Sequence, residues 1–347
     1  MRQGSSGVDG RVSVLVVNWN GRQYLRQCLD SLAAQAYLDV EVVLVDNGST
    51  DGSVEYVREN YPWVVLVQSE RNLGFSEGNN EAARYASGEY LFMLNNDAWV
   101  QADTIVRLVG TARSLGWPAI IGCRVLNPDG SIQDVGLKID ALGFPRGVTS
   151  PVAPLPALID DLFYVSACAL FMRRDIFQEL GGFDQRYVIF HDEVDLAWRA
   201  RLRGYSVVTD MEAVVYHVGG GTMTGGAPGK EQRYRTTTRR VYLRERNTLT
   251  TLLKNYSARS LVRVLPLYVG INVAEMLFFL ALLQPKVSQQ YLRSYWWNVR
   301  QWPATLRDRR RIQRQRRVSD RDIARYFRPD LQKLGYLKQY GLPRLDT

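Results

Sequence analysis

Glu89-Tyr90-Leu91-Phe92-Met93-Leu94 is an apolar, aromatic run entered through Ser87-Gly88 and left through Asn95-Asn96-Asp97. Such a run reads as a strand covered on both faces, as a parallel sheet in an α/β protein requires. Ligands of open parallel sheets lie beyond the carboxyl ends of the strands, so Asp97 is expected where a ligand lies. A carboxylate there suits Mg²⁺ or Mn²⁺, hard cations that prefer oxygen and offset the charge of a diphosphate. Asn-Asn-Asp is also ordinary turn chemistry, and the stretch alone leaves both readings open.

The preceding chain supplies more of such a sheet. Residues 12–17 form a β-branched strand running into the turn Asn18-Trp19-Asn20-Gly21. Leu25, Cys28, Leu29 and Leu32 then recur at helical spacing. Residues 41–45 give a second strand ending at Asp46-Asn47-Gly48-Ser49-Thr50-Asp51-Gly52, with a helix expected through Tyr61. The segment is not a Gly-x-Gly-x-x-Gly fingerprint, which disfavours a dehydrogenase. An acid closing a second strand faces a ribose or base in other nucleotide-binding α/β folds, but Asp46 is equally a turn former. Residues 64–68 give a third strand. The loop 70–76 then leads to a helix holding Glu77, Gly78, Asn79 and Asn80. Backbone N–H groups at such a start meet phosphate or sugar oxygens; a simple capped start is the alternative.

Together, residues 45–52 (Val-Asp-Asn-Gly-Ser-Thr-Asp-Gly), Asn72-x-Gly74-Phe75 with Gly78-Asn79, and Asn95-Asn96-Asp97 resemble the family 2 glycosyltransferases with the GT-A fold. Most of that family opens its metal motif with an acid. Asn95 takes that place here, a variant associated with the branch that includes rhamnosyltransferases, and it leaves Asp97 as the motif's only carboxylate. The resemblance covers residues 11–225. It implies an α/β, GT-A type nucleotide-sugar-binding domain with a central, mostly parallel sheet. It also implies donor contacts at Asn18, Asn20, Asp46, Asn47, Asn72, Gly74, Asn79, Asn95 and Asn96, with Asp97 holding Mg²⁺ or Mn²⁺.

Further on, a helix is expected over 103–115 and a strand over 118–122. Residues 123–160 read as irregular, with Pro145, Pro151, Pro154 and Pro156; long loops of this kind carry substrate contacts or act as lids. Strand character returns over 163–173, and a helix over 175–180 is closed by Gly181-Gly182. In Phe190-His191-Asp192-Glu193-Val194-Asp195, the positions Val194, Ala197, Trp198 and Leu202 share one helical face, so a helix begins near Asp192. Acids in a first turn are also what the helix dipole favours. The resemblance places the family's acidic motif here, with Glu193 as the base that deprotonates the acceptor hydroxyl and Asp192 beside it. Neighbouring acids raise one another's pKa, which suits a base working nearer neutrality. Asp195 is expected to be structural, and His191 to flank the base.

His217 ends the strand 213–217 ahead of Val218-Gly219-Gly220-Gly221. A histidine there is either a satisfied structural group or, by resemblance to transferases of this branch, the second metal ligand.

Charge is unevenly placed. The chain carries +9, but residues 285–347 hold 16 Lys/Arg against 5 Asp/Glu, a balance of +11, leaving −2 for residues 1–284. An apolar segment at 264–283 precedes Tyr291, Tyr295, Trp296, Trp297 and Trp302, interleaved with Arg293 and Arg300. Aromatics among arginines suit peripheral contact with an anionic membrane; a helical extension that packs on the domain or pairs subunits is the other reading. No recognition motif supports nucleic acid. Three scattered cysteines, Cys28, Cys123 and Cys168, read as buried small hydrophobes in a reducing compartment. No signal peptide is expected.

The expected organisation is a flexible tail (1–10), a GT-A catalytic domain (11–225) and a helical basic, aromatic region (226–347). The expected activity is inverting, metal-dependent transfer of one sugar from a dTDP-, UDP- or GDP-sugar to a glycan hydroxyl. A rhamnosyl donor and a lipid-linked acceptor at the inner face of the cell membrane are the favoured substrates, and a homo-oligomer is left open. Gln232-Arg233-Tyr234-Arg235-Thr236 lacks the Trp of the Gln-x-x-Arg-Trp motif of processive relatives, so single addition is expected. A sugar nucleotidyltransferase and a non-catalytic nucleotide-sugar-binding protein with a basic lipid- or nucleic-acid-binding tail are the alternatives.

Overall fold

The structure is a computed structural model that describes residues 8–116, 119–147, 156–219, 235–333, 335 and 344–345. The chain divides into two units. The first comprises Met1–Leu137, Gly147–Ala200 and Tyr205–Gly219, and the second Lys138–Arg146, Arg201–Gly204 and Gly220–Thr347.

The first unit opens as alternating strands and helices: β1 (Val8–Asn18), α1 (Arg22–Ala33), β2 (Val40–Asp46), α2 (Ser53–Asn60), β3 (Val65–Gln68), α3 (Gly74–Tyr85) and β4 (Gly88–Asn95). β5 (Ala98–Val100), α4 (Thr104–Leu115), β6 (Ala119–Leu126), β7 (Ile132–Asp134) and β8 (Leu137–Asp140) follow. Then come β9 (Pro145–Gly147), β10 (Leu158–Ile159), β11 (Ala169–Arg173), α5 (Arg174–Leu180), α6 (Asp192–Leu202) and β12 (Ser206–His217); of these elements β8 and β9 lie mostly in the second unit.

The main sheet has the order β10-β12-β6-β11-β4-β1-β2-β3. Pairing is parallel through β4-β1-β2-β3 and again between β6 and β12, with β11 antiparallel between β4 and β6. The apolar runs become strands because helices cover both faces: Val14, Leu15 and Val16 alternate in direction yet none is exposed. α1 buries Leu25, Cys28, Leu29 and Leu32, the expected stripe. Gly78 lets α3 settle on β1, since a Cβ there would lie 2.9 Å from Val17 Cγ1.

Several local expectations shift. β1 begins at Val8, inside the stretch read as tail; residues 1–7 lie outside the described residues. Within 123–160, β6 continues to Leu126 and four short strands follow, some paired with strands distant in sequence and so invisible to local periodicity. Strand structure begins at Ala169 rather than 163, because Ser166 and Ala169 close a turn (Ala169 N to Ser166 O, 3.3 Å). Residues 148–155 and the Gln232-Arg233-Tyr234 stretch lie outside the described residues.

The second unit is helical: α7 (Thr238–Asn255), α8 (Ala258–Ala281), α9 (Pro285–Arg300), α10 (Trp302–Gln315) and the single turn α11 (Asp320–Ile323). Short strands β13 (Arg235–Thr236) and β14 (Phe327–Arg328) pair with β15 (Arg344–Leu345) and β8 respectively. Thr237 and Ser257 cap α7 and α8 by accepting from Arg240 N and Ser260 N. Pro285 and Pro303 occupy first-turn positions, where a missing N–H costs nothing. The last carbonyls of α7 accept from Arg309, Gln313 and Arg316, cations and amides suited to the negative end of a helix.

Inside this unit Lys333 Nζ lies 3.1 Å from Glu245, 2.5 Å from Glu275 and 2.7 Å from Asn272 Oδ1, with Tyr268 OH 3.0 Å from Glu245. The aromatic segment is largely consumed by packing. Tyr291 is buried against Glu275, Tyr295 bonds Asn272, and Trp297 lies under Arg246. Trp296 and Trp302 are exposed.

Candidate functional site

The carboxyl ends of β1, β2 and β4 come level through their parallel register, Asn18 beside Asp46 and Val17 beside Asn95. A polar chain crosses them. Asn96 Nδ2 donates to Asn18 Oδ1 (2.8 Å), and Asn18 Nδ2 donates to Asp46 Oδ1 (3.0 Å) and Ser49 Oγ (3.2 Å). Asp46 Oδ2 accepts from Ser49 N at 2.9 Å, so this buried acid shapes the loop after β2. Asn20, with φ 50°, ties the two loops by accepting from Thr50 N at 2.8 Å. Asn72 Oδ1 holds Gly74 N (2.8 Å), and Asn47 Nδ2 reaches Gly74 O (3.2 Å). Asn79 is buried and its amide turns back to Phe75 O, supporting the start of α3 from within.

Past β4 the chain turns so that Asp97 and His217 meet. β5 pairs antiparallel with β12, His217 opposite Ala98, and Trp99 stacks on Tyr216 at 5.3 Å. His217 Nε2 lies 3.2 Å from Asp97 Oδ1 and 3.3 Å from Asn95 Nδ2. Its Nδ1 lies 2.7 Å from Gln133 Oε1, which as an acceptor takes the Nδ1 proton and aims Nε2 at the carboxylate, where Nε2 either donates a proton to Asp97 or, deprotonated, offers its lone pair to a cation. Burial opposes the charge of Asp97, but hydrogen bonding and charge from His217 outweigh it and hold the carboxyl below its ordinary value. An imidazole nitrogen and a carboxylate oxygen turned to one point, with the imidazole oriented by a second group, fit a divalent cation. Among the described residues no third His, Cys, Asp or Glu joins them, so substrate oxygens and water would complete the shell.

The acidic pair opens α6. Phe190 and His191 reach it at φ 70° and 65°, strained for non-glycine residues. Asp192 is buried, with Ser76 Oγ 3.4 Å from its Oδ2, while Glu193 keeps partial exposure. Burial, followed by the charge of Asp192, pushes Glu193 well above the carboxylate range; burial raises Asp192 as well. Asp195 is the expected structural acid, fully buried against Arg199 at 2.9 Å.

The two clusters share surroundings. The Cys168 thiol is pushed up to about 12, first by burial and then by Asp134, Asp97 and Glu193 together. All three cysteines are buried and unbridged. Gln133 and Asp134 are functional candidates absent from the sequence reading. Burial raises Asp134 to about 6, and its charge acts on Glu193. Asn127-Pro128-Asp129-Gly130 is a recognisable turn, closed by Asn127 N to Ser131 O. Read as a hairpin, it would have put both residues on a strand beside β6.

The sheet, its strand-end polar chain and the acid–histidine pair define a GT-A type domain. Residues 13–181 match the sequence family described as "Glycosyl transferase family 2". It is 32% identical over 220 residues to the O-antigen biosynthesis protein RfbC of Myxococcus xanthus, across 60% of this chain and 17% of that protein. It is 27% identical over 231 residues to the N-acetylglucosaminyl-diphospho-decaprenol L-rhamnosyltransferase of Mycobacterium tuberculosis, across 59% of this chain and 75% of that enzyme. The fold resembles the crystal structure of GalNAc-T7 with UDP, GalNAc and Mn²⁺, with TM-score 0.56, 16% identity, 72% of this chain covered and 48% of that one. The chain spans 17% and 15% of the first two curated relatives it matches.

Proposed function

We propose that this chain is an inverting glycosyltransferase that moves one sugar from a nucleotide-sugar to a glycan hydroxyl and uses Mg²⁺ or Mn²⁺. The observation that carries the reading is the Asp97–His217 pair at the end of the sheet, with His217 Nε2 3.2 Å from Asp97 Oδ1 and its Nδ1 held by Gln133. Asn18, Asn20, Asp46, Asn47, Asn72, Gly74, Asn79, Asn95 and Asn96 are assigned to build and contact the donor pocket. Asp97 and His217 would hold the cation, which supplies positive charge to the departing diphosphate when bound.

Glu193, the accessible member of its pair, takes the acceptor proton. The freed oxygen attacks the anomeric carbon from the face opposite the diphosphate, which leaves with its electron pair. Asp192 stays buried and tunes its neighbour. No covalent enzyme intermediate is needed.

For the substrates we favour rhamnose from dTDP-rhamnose and a lipid-linked glycan at the cytoplasmic face of the membrane. The activity for which the mycobacterial relative is named supports that choice, as does the apolar, basic second unit. The test is turnover of dTDP-, UDP- and GDP-sugars with Mg²⁺ or Mn²⁺ and with chelator. Turnover undiminished by chelator would remove the metal from the reading, and a chain that turns over no donor would leave only nucleotide-sugar binding.

A further inference from the structure

The second unit holds a cleft of about 820 Å³ at the N-terminal end of α8. Arg259, Arg263, Arg316, Arg317 and Arg321 line it, together with Ser257, Ser260 and Ser319. Among the described residues of its lining, Asp320 is the one acid, and it is already engaged by Arg316 (2.7 Å) and Ser257 N (3.0 Å). Arg259, Arg263 and Arg317 are exposed and make no ion pair among the described residues. Arg316 Nε is buried with no acceptor. Guanidinium groups converging without counter-charge repel one another, and their flat donor forks fit phosphate oxygens. The positive end of the 24-residue helix α8 opens on the same cleft.

α8 then runs from these arginines into an apolar surface. Val262, Leu267, Val269, Val273, Leu277 and Phe278 are exposed, and only 17% of the helix's most apolar window is buried. Its length and composition would allow a span, but its inner face is fixed to Glu245 and Lys333 through Tyr268, Asn272 and Glu275. Crossing a bilayer would carry that ionic network into hydrocarbon, so the helix lies along an interface.

We propose that this cleft binds the phosphate head group of an anionic membrane lipid while the exposed face of α8 rests against the acyl layer. The inference rests on the membrane-working transferase above and names the residues that hold it there. Charge complementarity and the apolar surface continuous with the cleft select a lipid over a soluble phosphate.

The experiment is co-sedimentation of the full chain with vesicles of phosphatidylglycerol and phosphatidylcholine, and of phosphatidylcholine alone, at low salt. Arg259→Gln/Arg263→Gln/Arg317→Gln is compared with Arg307→Gln/Arg310→Gln/Arg314→Gln, which removes equal charge from α10. The parent is expected to bind the anionic vesicles only. The cleft variant is expected to lose on the order of a hundredfold in affinity with helical circular dichroism unchanged, and the α10 variant much less. If the triple variant does not fold, Arg263→Gln and Arg317→Gln, each expected to lose severalfold, decide the matter. Parent binding that survives loss of the cleft arginines, or falls equally in both triple variants, overturns the cleft and leaves the membrane reading standing. A parent that ignores anionic vesicles overturns both, while the turnover test of the transferase is untouched. Thermal stabilisation by inorganic phosphate without vesicle binding overturns the lipid as occupant.

Discussion

His217 Nε2 stands 3.2 Å from Asp97 Oδ1, although 120 positions separate the two residues. The ladder between β5 and β12 brings them together, and Gln133 turns the imidazole so that its Nε2 faces the carboxylate. A ring nitrogen and a carboxylate held face to face make a site whose strength depends on what lies between them, a proton or a cation.

That relationship predicts metal-linked binding. Asp97→Ala and His217→Ala are each expected to weaken nucleotide-sugar affinity in Mg²⁺ or Mn²⁺ and to change little in chelator. Gln133→Leu, which frees the imidazole and also removes the amide's bonds to Asn127 Oδ1 and His217 O, should cost roughly 10- to 100-fold in metal affinity. Titration calorimetry with and without metal reads all three. Equal losses in chelator would assign the pair to folding.

Glu193→Gln should keep donor binding and lose transfer by roughly 10²–10⁴-fold. Because the base acts unprotonated and its carboxyl is raised, kcat should climb as pH passes through that raised value. Stability moves the other way. Between the ordinary carboxylate range and the raised value, the folded chain holds a proton the unfolded chain has released, so stability falls as pH rises there. Glu193→Gln should flatten that fall, as denaturation at several pH values would reveal. Normal transfer by Glu193→Gln beside a dead Asp192→Asn would move the base to the neighbouring acid.

Gly21→Ala tests the strand-end polar chain. A Cβ at Gly21 would lie 2.0 Å from Asn96 Nδ2 and 2.6 Å from Asn18 Oδ1, so the amides that align the donor loops must separate. Losing one such buried hydrogen bond predicts about tenfold weaker donor binding. Unchanged donor affinity would show that the chain of amides serves the fold alone.

Lys333→Met should destabilise the helical unit by about 3–5 kcal/mol, since it strips the nearest cation from buried Glu245. Burial opposes the Glu245 charge, but Lys333 and then Arg244 outweigh it and hold the carboxyl below its ordinary value. The stability it contributes is present at neutral pH and lost as pH falls through that depressed value, so parent and variant should converge in acid. Urea unfolding at two pH values checks this. Truncation before Leu261 is a poor substitute, because it would remove α9 and α10, which bond to α7.

Much of this was legible in the sequence. Residues 12–17, 41–45 and 89–94 announced buried parallel strands, and Leu25, Cys28, Leu29 and Leu32 announced the covering helix, because both patterns are local. Asp97, Glu193 and His217 stood out as polar residues ending or opening apolar elements. Gln133 and Asp134 did not, since β7 gains its meaning only by pairing with β6. The aromatics of α9 misled for a related reason. Tyr291 and Trp297 look interfacial by composition, yet Glu275 and Arg246 claim them.

The ladder of β12 with β6 has a further consequence. Asp210 and Val214 pair with Cys123 and Arg124, so β12 carries three extra residues where β6 has none. An odd insertion reverses which side chains face which way along the rest of the strand. The presentation of His217 therefore depends on the length of the chain at 211–213 as much as on the identity of residue 217. Deleting the one exposed position there, Glu212, would keep every side chain of the site and exchange their phases, turning off the chemistry by counting rather than by substitution.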